Sequence, residues 1–346
     1  MNRWLMSMCV ASVFGAIALV AAADASGQQA AAPAAKPAPK TFPLAAPAGK
    51  DSNARNVAPA GALNKGAFDP TKWKNGGAFA APAGSKVWNP VKLKLQRGEP
   101  IVGGTVYNTT DPAVYCAMAN AGYDFTWMEM QHSARDWESI ARMWRTCPHA
   151  KAVPGVRVAY TDEREIQHAL DAGALVIIVP TVDSLAEATE ARNWVYFPPL
   201  GRRSNANSVP ARDPDMWGSV PGGYRNTIND NVVLIEMIET LEGLKDADKI
   251  AKVPGVSALF AAGNDLGNFG GFLPDSPDYE REINIVHDAA IRAGVRFCGP
   301  LGWRGRPDVT CFQAGSELEA ITRGALMELG SLANTQAVPA VGPYAR

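Results

Sequence analysis

The sequence carries no excess of charge of either sign. Its 346 residues include 33 Lys and Arg against 34 Asp and Glu, a formal net charge of -1. Nucleic acids and anionic membrane surfaces select basic surfaces, so this balance gives no indication of either partner. Histidine is scarce, at four residues, and no cysteine or histidine pair has the close spacing of a zinc site. With 47% hydrophobic residues, the composition is that of a globular protein with a sizeable core.

The N-terminus has the pattern of a signal peptide over residues 1–23. Met1-Asn2-Arg3 supplies a positive charge, residues 5–20 are apolar, and Ala21-Ala22-Ala23 offers small residues for cleavage. A membrane anchor is the alternative, but the apolar run is short and has no charged stop-transfer flank. We therefore expect a periplasmic or secreted protein with no membrane contact after the signal is cleaved.

Three further segments follow the signal. Residues 24–87 are rich in Ala, Pro, Lys and Gly, and they predict a linker or arm because they hold too few large apolar side chains to offset their ordering entropy. Residues 88–335 form the predicted folded domain, and residues 336–346 a C-terminal tail. Four cysteines remain in an oxidising compartment, which allows disulfides without fixing their pairing. They are Cys116, Cys147, Cys298 and Cys311.

Short apolar runs alternate with helical patterns from residue 101 onward. Strands are predicted at residues 101–107, 123–130, 153–158, 175–182, 232–240, 256–262, 295–300 and 319–323, with helices between them, the last of these at 308–314. Alternating strands and helices imply a parallel sheet, and eight such units fit a closed (β/α)₈ TIM barrel of about 250 residues. A doubly wound open sheet is the alternative, but no glycine-rich phosphate loop follows the first strand. The barrel is favoured, and its chemistry is expected where the strands end.

Polar side chains stand at several of these strand ends. The second strand leads to His132, the third ends in Arg157, the fifth in Glu239, and the sixth leads to Asn264-Asp265. Two carboxylates from adjacent strand ends suit a hard divalent cation such as Mg²⁺ or Mn²⁺, which keeps waters and accepts substrate oxygens. Either acid alone could be only a helix cap or a surface ion pair, so their joint placement carries the prediction. No lysine stands at a strand tip, which argues against Schiff-base chemistry.

Eight short motifs run through residues 89–329. They are AGYDF at 121–125, the strand ending at His132, Val156-Arg157, LDAG at 170–173, IVPTV at 178–182, FPPLGRR at 197–203, IET at 238–240 and NDL at 264–266. In order and spacing they resemble the HpcH/HpaI class II aldolases, which include 4-hydroxy-2-oxoheptanedioate aldolase. The resemblance implies a TIM barrel of the phosphoenolpyruvate/pyruvate type that acts on a small 2-oxo acid.

The resemblance also implies a role for each matching residue. Glu239 and Asp265 would hold a divalent metal ion (Mg²⁺, Mn²⁺ or Co²⁺), which chelates pyruvate and stabilises its enolate. Arg157 would stabilise the enolate oxygen, and His132 would move protons through a water. Asp171 would orient that histidine from a neighbouring subunit. The expected assembly is a homo-oligomer, a hexamer or trimer, in which the last helix, around residues 326–332, is exchanged between subunits.

Three stretches depart from the family pattern. Glu129-Met130-Gln131 stands before His132 where the family has Asp-Gly-Glu, Met237 replaces a glutamine, and Arg203-Ser204 replaces Arg-Gly. The expected reaction is cleavage of a 4-hydroxy-2-oxo acid to pyruvate, or a related 2-oxo acid, and an aldehyde through a metal-bound enolate. Two alternatives stay open. One is another metal–enolate lyase with altered acid–base groups, and the other is a secreted barrel that binds a 2-oxo acid without turnover.

Two loops predict how the aldehyde partner is recognised. Residues 201–231 form a long segment, and the loop after the seventh strand is rich in the same residue types. Together they carry Arg202, Arg203, Arg212, Trp217, Tyr224, Arg225, Trp303, Arg304 and Arg306. Guanidinium groups and aromatic faces predict an acceptor with an acid group or a ring, with Asn264, Arg203 and Arg304 as substrate-binding residues. The alternative is that these arginines are only solvated surface residues.

Overall fold

The computed structural model of the protein describes residues 87–206 and 220–330. The predicted signal peptide (1–23) and C-terminal tail (336–346) lie outside the described residues, as does the predicted linker (24–87) except for Val87. Arg212 and Trp217 of the long loop also lie outside them. Within the described ranges, no helix is both long enough and apolar enough to cross a membrane.

Eight parallel strands close into a barrel in sequence order. They are β1 (Ile101–Val106), β2 (Phe125–Glu129), β3 (Gly155–Arg157), β4 (Val176–Val179), β5 (Val233–Ile238), β6 (Val256–Ala261), β7 (Arg296–Pro300) and β8 (Val309–Ser316). Each strand pairs with its neighbours, and β1 pairs with β8 to close the ring. The TIM-barrel prediction is confirmed, and the open-sheet alternative is wrong.

Helices surround the barrel and follow most of the strands. In the described residues they are α1 (Pro90–Arg97), α2 (Pro112–Asn120), α3 (Trp137–Thr146), α4 (Glu163–Ala172), α5 (Leu185–Val195), α6 (Gly223–Asn231), α7 (Leu241–Ala251), α8 (Gly263–Gly270), α9 (Pro277–Ala293) and α10 (Glu317–Leu329). Most begin at an Asp, Asn, Ser or Thr whose side chain accepts a backbone N–H of the first turn, as Asp162 does for α4. The sequence did not predict α1, whose Val91 and Leu95 pack into the barrel interior.

Alternate residues of each strand face the barrel interior and the helix layer. On β5, Val233, Ile235 and Met237 belong to the interior cluster, whereas Leu234 and Ile238 pack with the helices. The same alternation directs the next odd-numbered residue, Glu239, toward the mouth of the barrel. The core is therefore divided into an interior column and a surrounding helix layer, as is usual for this architecture.

One disulfide lies in the interior column. It joins Cys298 on β7 to Cys311 on β8, which are directly paired in the strand register. Cys116 and Cys147 are free and half-buried. The sequence allowed disulfides but could not choose between pairings, because the pairing depends on which strands become neighbours.

The last two predicted elements are wrong. Residues 308–314 were expected to form a helix but belong largely to β8, and residues 319–323 were expected to form a strand but lie in α10. The chain passes from β7 to β8 through residues 301–308, where the only regular element is the 3₁₀ turn Leu301–Trp303. The alternation rule assumed a helix at this point, and that assumption displaced the eighth strand along the sequence.

Candidate active site

A cavity of about 380 Å³ opens at the C-terminal ends of the strands. Its walls come from strand ends and from the segments that follow them, as expected for a TIM barrel. The lining residues are His132, Arg157, Met237, Phe260, Ala262, Gly263, Asn264, Asp265, Tyr279, Pro300, Trp303 and Gln313. Of the residues predicted from the sequence, His132, Arg157, Asn264 and Asp265 line this cavity.

Glu129, buried beneath the cavity, holds two of these lining residues, Arg157 and His132, in position. Its side chain is fully buried at the end of β2, directly opposite Arg157 in the register with β3. Its Oε2 accepts hydrogen bonds from Arg157 Nε at 2.7 Å and pairs with Nη2 at 2.6 Å. Its Oε1 accepts the backbone N–H groups of Gln131 and His132, at 2.8 and 3.0 Å. One carboxylate therefore holds both the guanidinium of Arg157 and the turn that carries His132.

The sequence did not identify Glu129 as a site residue and noted it only as a departure from the family pattern. Its available signal was an acid at the end of one predicted strand and an arginine at the end of the next. Neighbouring strand ends bring such a pair together, and a buried charge of either sign needs a partner. The remaining nitrogen of the guanidinium, Nη1, lies 4.0 Å from the sulfur of Met237.

Glu239 and Asp265 form the carboxylate pair that the strand ends predicted. Glu239 is 3% exposed, and its Oε1 accepts a hydrogen bond from Thr181 Oγ1 at 2.6 Å. Burial raises the pKa of Glu239, and the nearby Asp265 carboxylate raises it further, against the hydrogen bond from Thr181 and the charge of Arg157. Negative charge is thus crowded in a buried position.

These residues fit a divalent cation. Among the described residues, Glu239 Oε2 is buried and has no hydrogen-bond partner, which leaves one lone-pair face of a buried carboxylate unsatisfied beside Asp265. No three His, Cys, Asp or Glu side chains converge anywhere in residues 87–206 and 220–330. A cation held by two carboxylates would keep positions for water and substrate oxygens, which is how Mg²⁺ is usually bound.

The start of α8 provides a site for a carboxylate group beside this pair. The helix has no side-chain cap at Ala262, and its first residues, Gly263, Asn264 and Asp265, line the cavity. Free N–H groups at a helix start favour anions. Asn264 lies at this helix start and lines the cavity, and its role in substrate binding stays a prediction.

Three predicted residues lie away from the cavity of this chain. Asp171, on α4, pairs with Arg203 at 2.6 Å, and the Arg203 guanidinium lies over the rings of Phe197 at 4.6 Å and Tyr224 at 5.3 Å. Arg304 is exposed and does not line the cavity. Within one chain the structure brings together His132, Arg157, Glu239, Asn264 and Asp265, but not Asp171, Arg203 or Arg304. The role of Asp171 toward a neighbouring subunit stays a prediction.

In sequence and fold, the chain is similar to known aldolases. The family described as HpcH/HpaI aldolase/citrate lyase matches residues 106–282. A hydroxypyruvate/pyruvate aldolase of Paraburkholderia phytofirmans is 30% identical over 60% of this chain and 81% of that protein. The 2-dehydro-3,6-dideoxy-6-sulfogluconate aldolase of Pseudomonas putida is 33% identical over 51% of this chain and 67% of that protein. A solved HpcH/HpaI aldolase/citrate lyase family protein from Burkholderia cenocepacia superposes with a TM-score of 0.60 at 26% identity, covering 70% of this chain and 99% of that one.

Proposed function

Since this chain belongs to the HpcH/HpaI aldolase/citrate lyase family, we propose that it cleaves a 4-hydroxy-2-oxo acid to pyruvate, or a related 2-oxo acid, and an aldehyde. The protein is a lyase of the aldolase type, as its relatives are. The observation that carries the substrate class is the arrangement of one buried arginine and two carboxylates at one site: Arg157 and Asp265 line the cavity, and Glu239 lies buried near both. That arrangement suits an oxygen on which negative charge develops.

Glu239 and Asp265 would hold the divalent ion, Mg²⁺, Mn²⁺ or Co²⁺. When bound, the ion supplies a Lewis acid that favours negative charge on the 2-oxo oxygen of the substrate. The N–H groups at the start of α8 would bind the substrate carboxylate next to it. These contacts would orient the 2-oxo acid at the carboxylate pair.

Arg157 would stabilise the enolate oxygen as the reaction proceeds. The C3–C4 bond breaks and its electron pair moves toward C2, so charge grows on the C2 oxygen. Because Glu129 fixes the guanidinium, Arg157 needs no rearrangement to meet this charge, which is the condition for electrostatic stabilisation. The Arg157 side chain is buried, and a charge in such a position acts more strongly than in water.

His132 would transfer the two protons that the reaction moves. One proton leaves the 4-hydroxyl group as the aldehyde forms, and one is added to C3 as the enolate becomes pyruvate. His132 lines the cavity on a turn held by Glu129 Oε1, so its imidazole can reach a bound substrate directly or through a water. Histidine suits both steps because it can accept and return a proton near neutral pH.

A donor and acceptor panel tests this proposal. Purified protein is incubated with pyruvate or hydroxypyruvate and a set of aldehydes, with and without Mg²⁺, Mn²⁺ or Co²⁺, and products are measured by NMR. The panel includes pyruvate alone in D₂O, because enolate formation exchanges the methyl protons without any aldehyde. We expect metal-dependent exchange and C–C bond formation. Pyruvate binding without exchange under any metal would contradict the proposal and favour a non-catalytic binding protein.

A further inference from the structure

The direct passage from β7 to β8 places an aromatic side chain at the mouth of the barrel. Without a helix in this connection, Trp303 stands three residues after the end of β7 and lines the cavity. Tyr279, from the first turn of α9, and Phe260, from β6, line the same side. In the closed barrel, β6 and β7 lie across from β2 and β3, which carry His132 and Arg157. The cavity thus has an aromatic wall (Phe260, Tyr279 and Trp303) facing its proton-transfer and arginine side.

Two glycines allow this wall to approach the carboxylate pair. A Cβ on Gly299 would overlap the Trp303 indole at Cε3. A Cβ on Gly263 would overlap the Tyr279 hydroxyl and lie 3.0 Å from Trp303 Cζ2. Gly263 is the first residue of α8, two positions before Asp265. The side chains of Tyr279 and Trp303 therefore pack directly on the glycine backbone, next to the place where the substrate would be bound.

Arg306, in the loop between β7 and β8, packs against the aromatic wall and is not available to bind an acidic group of the substrate. The Arg306 guanidinium lies 4.5 Å from the centre of the Trp303 ring. Its Nη1 and Nη2 donate to the two carboxylate oxygens of Glu280, at 2.5 and 2.7 Å. Phe297 stacks against Trp303 with ring centres 6.4 Å apart. The indole is held in place from several sides, and the charge of Arg306 is already neutralised.

The charge distribution favours an uncharged acceptor. Among the described residues that line the cavity, Arg157 carries the one guanidinium group and none carries an ammonium group. Arg157 and the His132 imidazole both lie on the far side from the aromatic wall. In the same set of described lining residues, no cationic side chain lies beside the wall to pair with an acidic group of the acceptor. The N–H groups at the start of α8 would already hold the carboxylate of the 2-oxo acid, and an acidic acceptor would also lie near the Asp265 carboxylate. An apolar or aromatic group would instead bury its face against the indole.

We propose that the aromatic wall is the binding site for the aldehyde acceptor, and that it selects an uncharged aldehyde with a flat apolar or aromatic group. This inference rests on the proposed aldolase function, since it names the second substrate of that reaction. It narrows the expectation drawn from the sequence, which allowed either an acid group or a ring.

The test compares acceptors at a fixed concentration of pyruvate and metal ion. We expect kcat/KM for benzaldehyde to exceed that for succinic semialdehyde by tenfold or more in the native protein, in the range of one good aromatic contact. Trp303→Ala should lower this ratio by about tenfold, and Trp303→Phe should give an intermediate ratio. Arg304→Ala is the matched control, because Arg304 is the exposed neighbour of Trp303 and should leave the ratio unchanged. Circular dichroism checks that each variant is folded.

Failure of the inference and failure of the proposed function give different results. If the native protein does not exchange the methyl protons of pyruvate in D₂O with any metal, the aldolase function itself is wrong. If exchange occurs but succinic semialdehyde is the better acceptor, the acceptor inference is overturned. It is also overturned if the folded Trp303 variants lose activity equally toward both aldehydes, or if Arg304→Ala shifts the ratio as strongly as Trp303→Ala.

Discussion

Glu129 connects the two groups that the reaction would use on one side of the cavity. Its two carboxylate oxygens are divided between them, one for the Arg157 guanidinium and one for the backbone before His132. Because Glu129 is fully buried, it is a positioning residue and does not itself reach the cavity. Its substitution should therefore affect the rate of reaction more than the affinity for the 2-oxo acid.

Glu129→Gln should lower kcat by about a hundredfold with a smaller change in KM. The amide keeps the shape of the side chain but leaves the buried guanidinium without a counter-charge, which also destabilises the fold by about 3 kcal/mol. Steady-state kinetics with pyruvate exchange and thermal melting measure the two effects. Glu129→Asp keeps the charge and should recover part of kcat. Native kcat in Glu129→Gln together with a loss in Glu129→Asp would show that side-chain length, and not charge, is what matters.

Glu239→Gln should abolish metal binding. The buried oxygen without a partner would become one end of a neutral amide, which is a poor ligand for a hard divalent cation. Titration calorimetry with Mn²⁺ should show at least a hundredfold loss of affinity, with loss of turnover. Thr181→Val removes only the hydrogen bond to Oε1 and should weaken binding far less. Native stoichiometry and turnover in Glu239→Gln would exclude this carboxylate as a ligand.

Glu190 on α5 should make the protein less stable as the pH rises. Its side chain is 3% exposed, and burial raises its pKa to about 7, although the nearby Arg202 and Arg192 oppose the shift. The pKa of Glu190 in the folded protein lies above the unfolded value of 4.5. The contribution of Glu190 to the free energy of unfolding is therefore fully present below pH 4.5 and is lost as the pH rises through 7. The loss is on the order of 3 kcal/mol.

Glu190→Gln should therefore raise Tm at pH 8 by several degrees, relative to the native protein, and change it little at pH 5. Thermal melts at the two pH values measure the difference. Glu242→Gln provides the control, because Glu242 is exposed on α7 and its substitution removes no buried charge. A gain of the same size at both pH values would mean that ionisation of Glu190 is not the cause.

At the scale of elements, the regular part of the barrel could be predicted from the sequence and its last unit could not. The first seven strands were placed because apolar runs and helix caps recur at similar spacing. The eighth failed because the chain omits a helix between β7 and β8. Local signals were present: Val309, Thr310 and Phe312 favour a strand, and Ser316 with Glu319 has the spacing of a capping box. The expectation of regular alternation overrode them.

The residues of the candidate site divide in the same way into those that could be predicted from the sequence and those that could not. Side chains that directly follow strands, such as His132, Arg157 and Glu239, could be predicted because parallel strand ends meet at one edge. Tyr279 could not, since it reaches the cavity only through the packing of α9 against Gly263. Arg306 was among the loop arginines expected to recognise the acceptor, but it pairs with Glu280, a contact that depends on how a loop folds back on a helix.

Gly263→Ala should disturb this junction between elements. A methyl group there would overlap the Tyr279 hydroxyl and crowd Trp303, so α9 and the β7–β8 loop must shift. We expect a loss of stability of about 1–3 kcal/mol, as for overpacked cores, together with reduced activity toward aromatic aldehydes. Gly302→Ala is the control, because a Cβ at Gly302 meets nothing within 4 Å. If the two variants have the same Tm and the same preference among aldehyde acceptors, the close packing at Gly263 does not contribute to stability or to acceptor selection.

At the scale of the whole molecule, α10 is a helix that the described residues of a single chain leave largely uncovered. Its large apolar side chains are exposed along its length: Leu318, Ile321, Leu326, Met327 and Leu329. Its first residue is held at the barrel, where Glu317 accepts backbone N–H groups from Tyr107, Asn108 and Thr109. An apolar helix surface of this extent indicates a protein–protein contact. The homo-oligomer, in which the last helix would be exchanged between subunits, stays a prediction that such a surface would suit.

Asp171 would link the predicted assembly to catalysis. Its side chain is 25% exposed on the outer face of α4, where Arg203 and Gln167 hold it. If it completes the site of a neighbouring subunit, Asp171→Ala should lose most activity while Mn²⁺ affinity remains native.

Met327→Glu should give the same pattern, because a charge at a position 83% exposed in the single chain would oppose burial against a second copy. Light scattering should then report a smaller assembly, whereas the control Glu328→Gln should keep both mass and activity. A monomeric Met327→Glu protein with full turnover would show that each barrel works alone, and the neighbour's role for Asp171 would be lost with it.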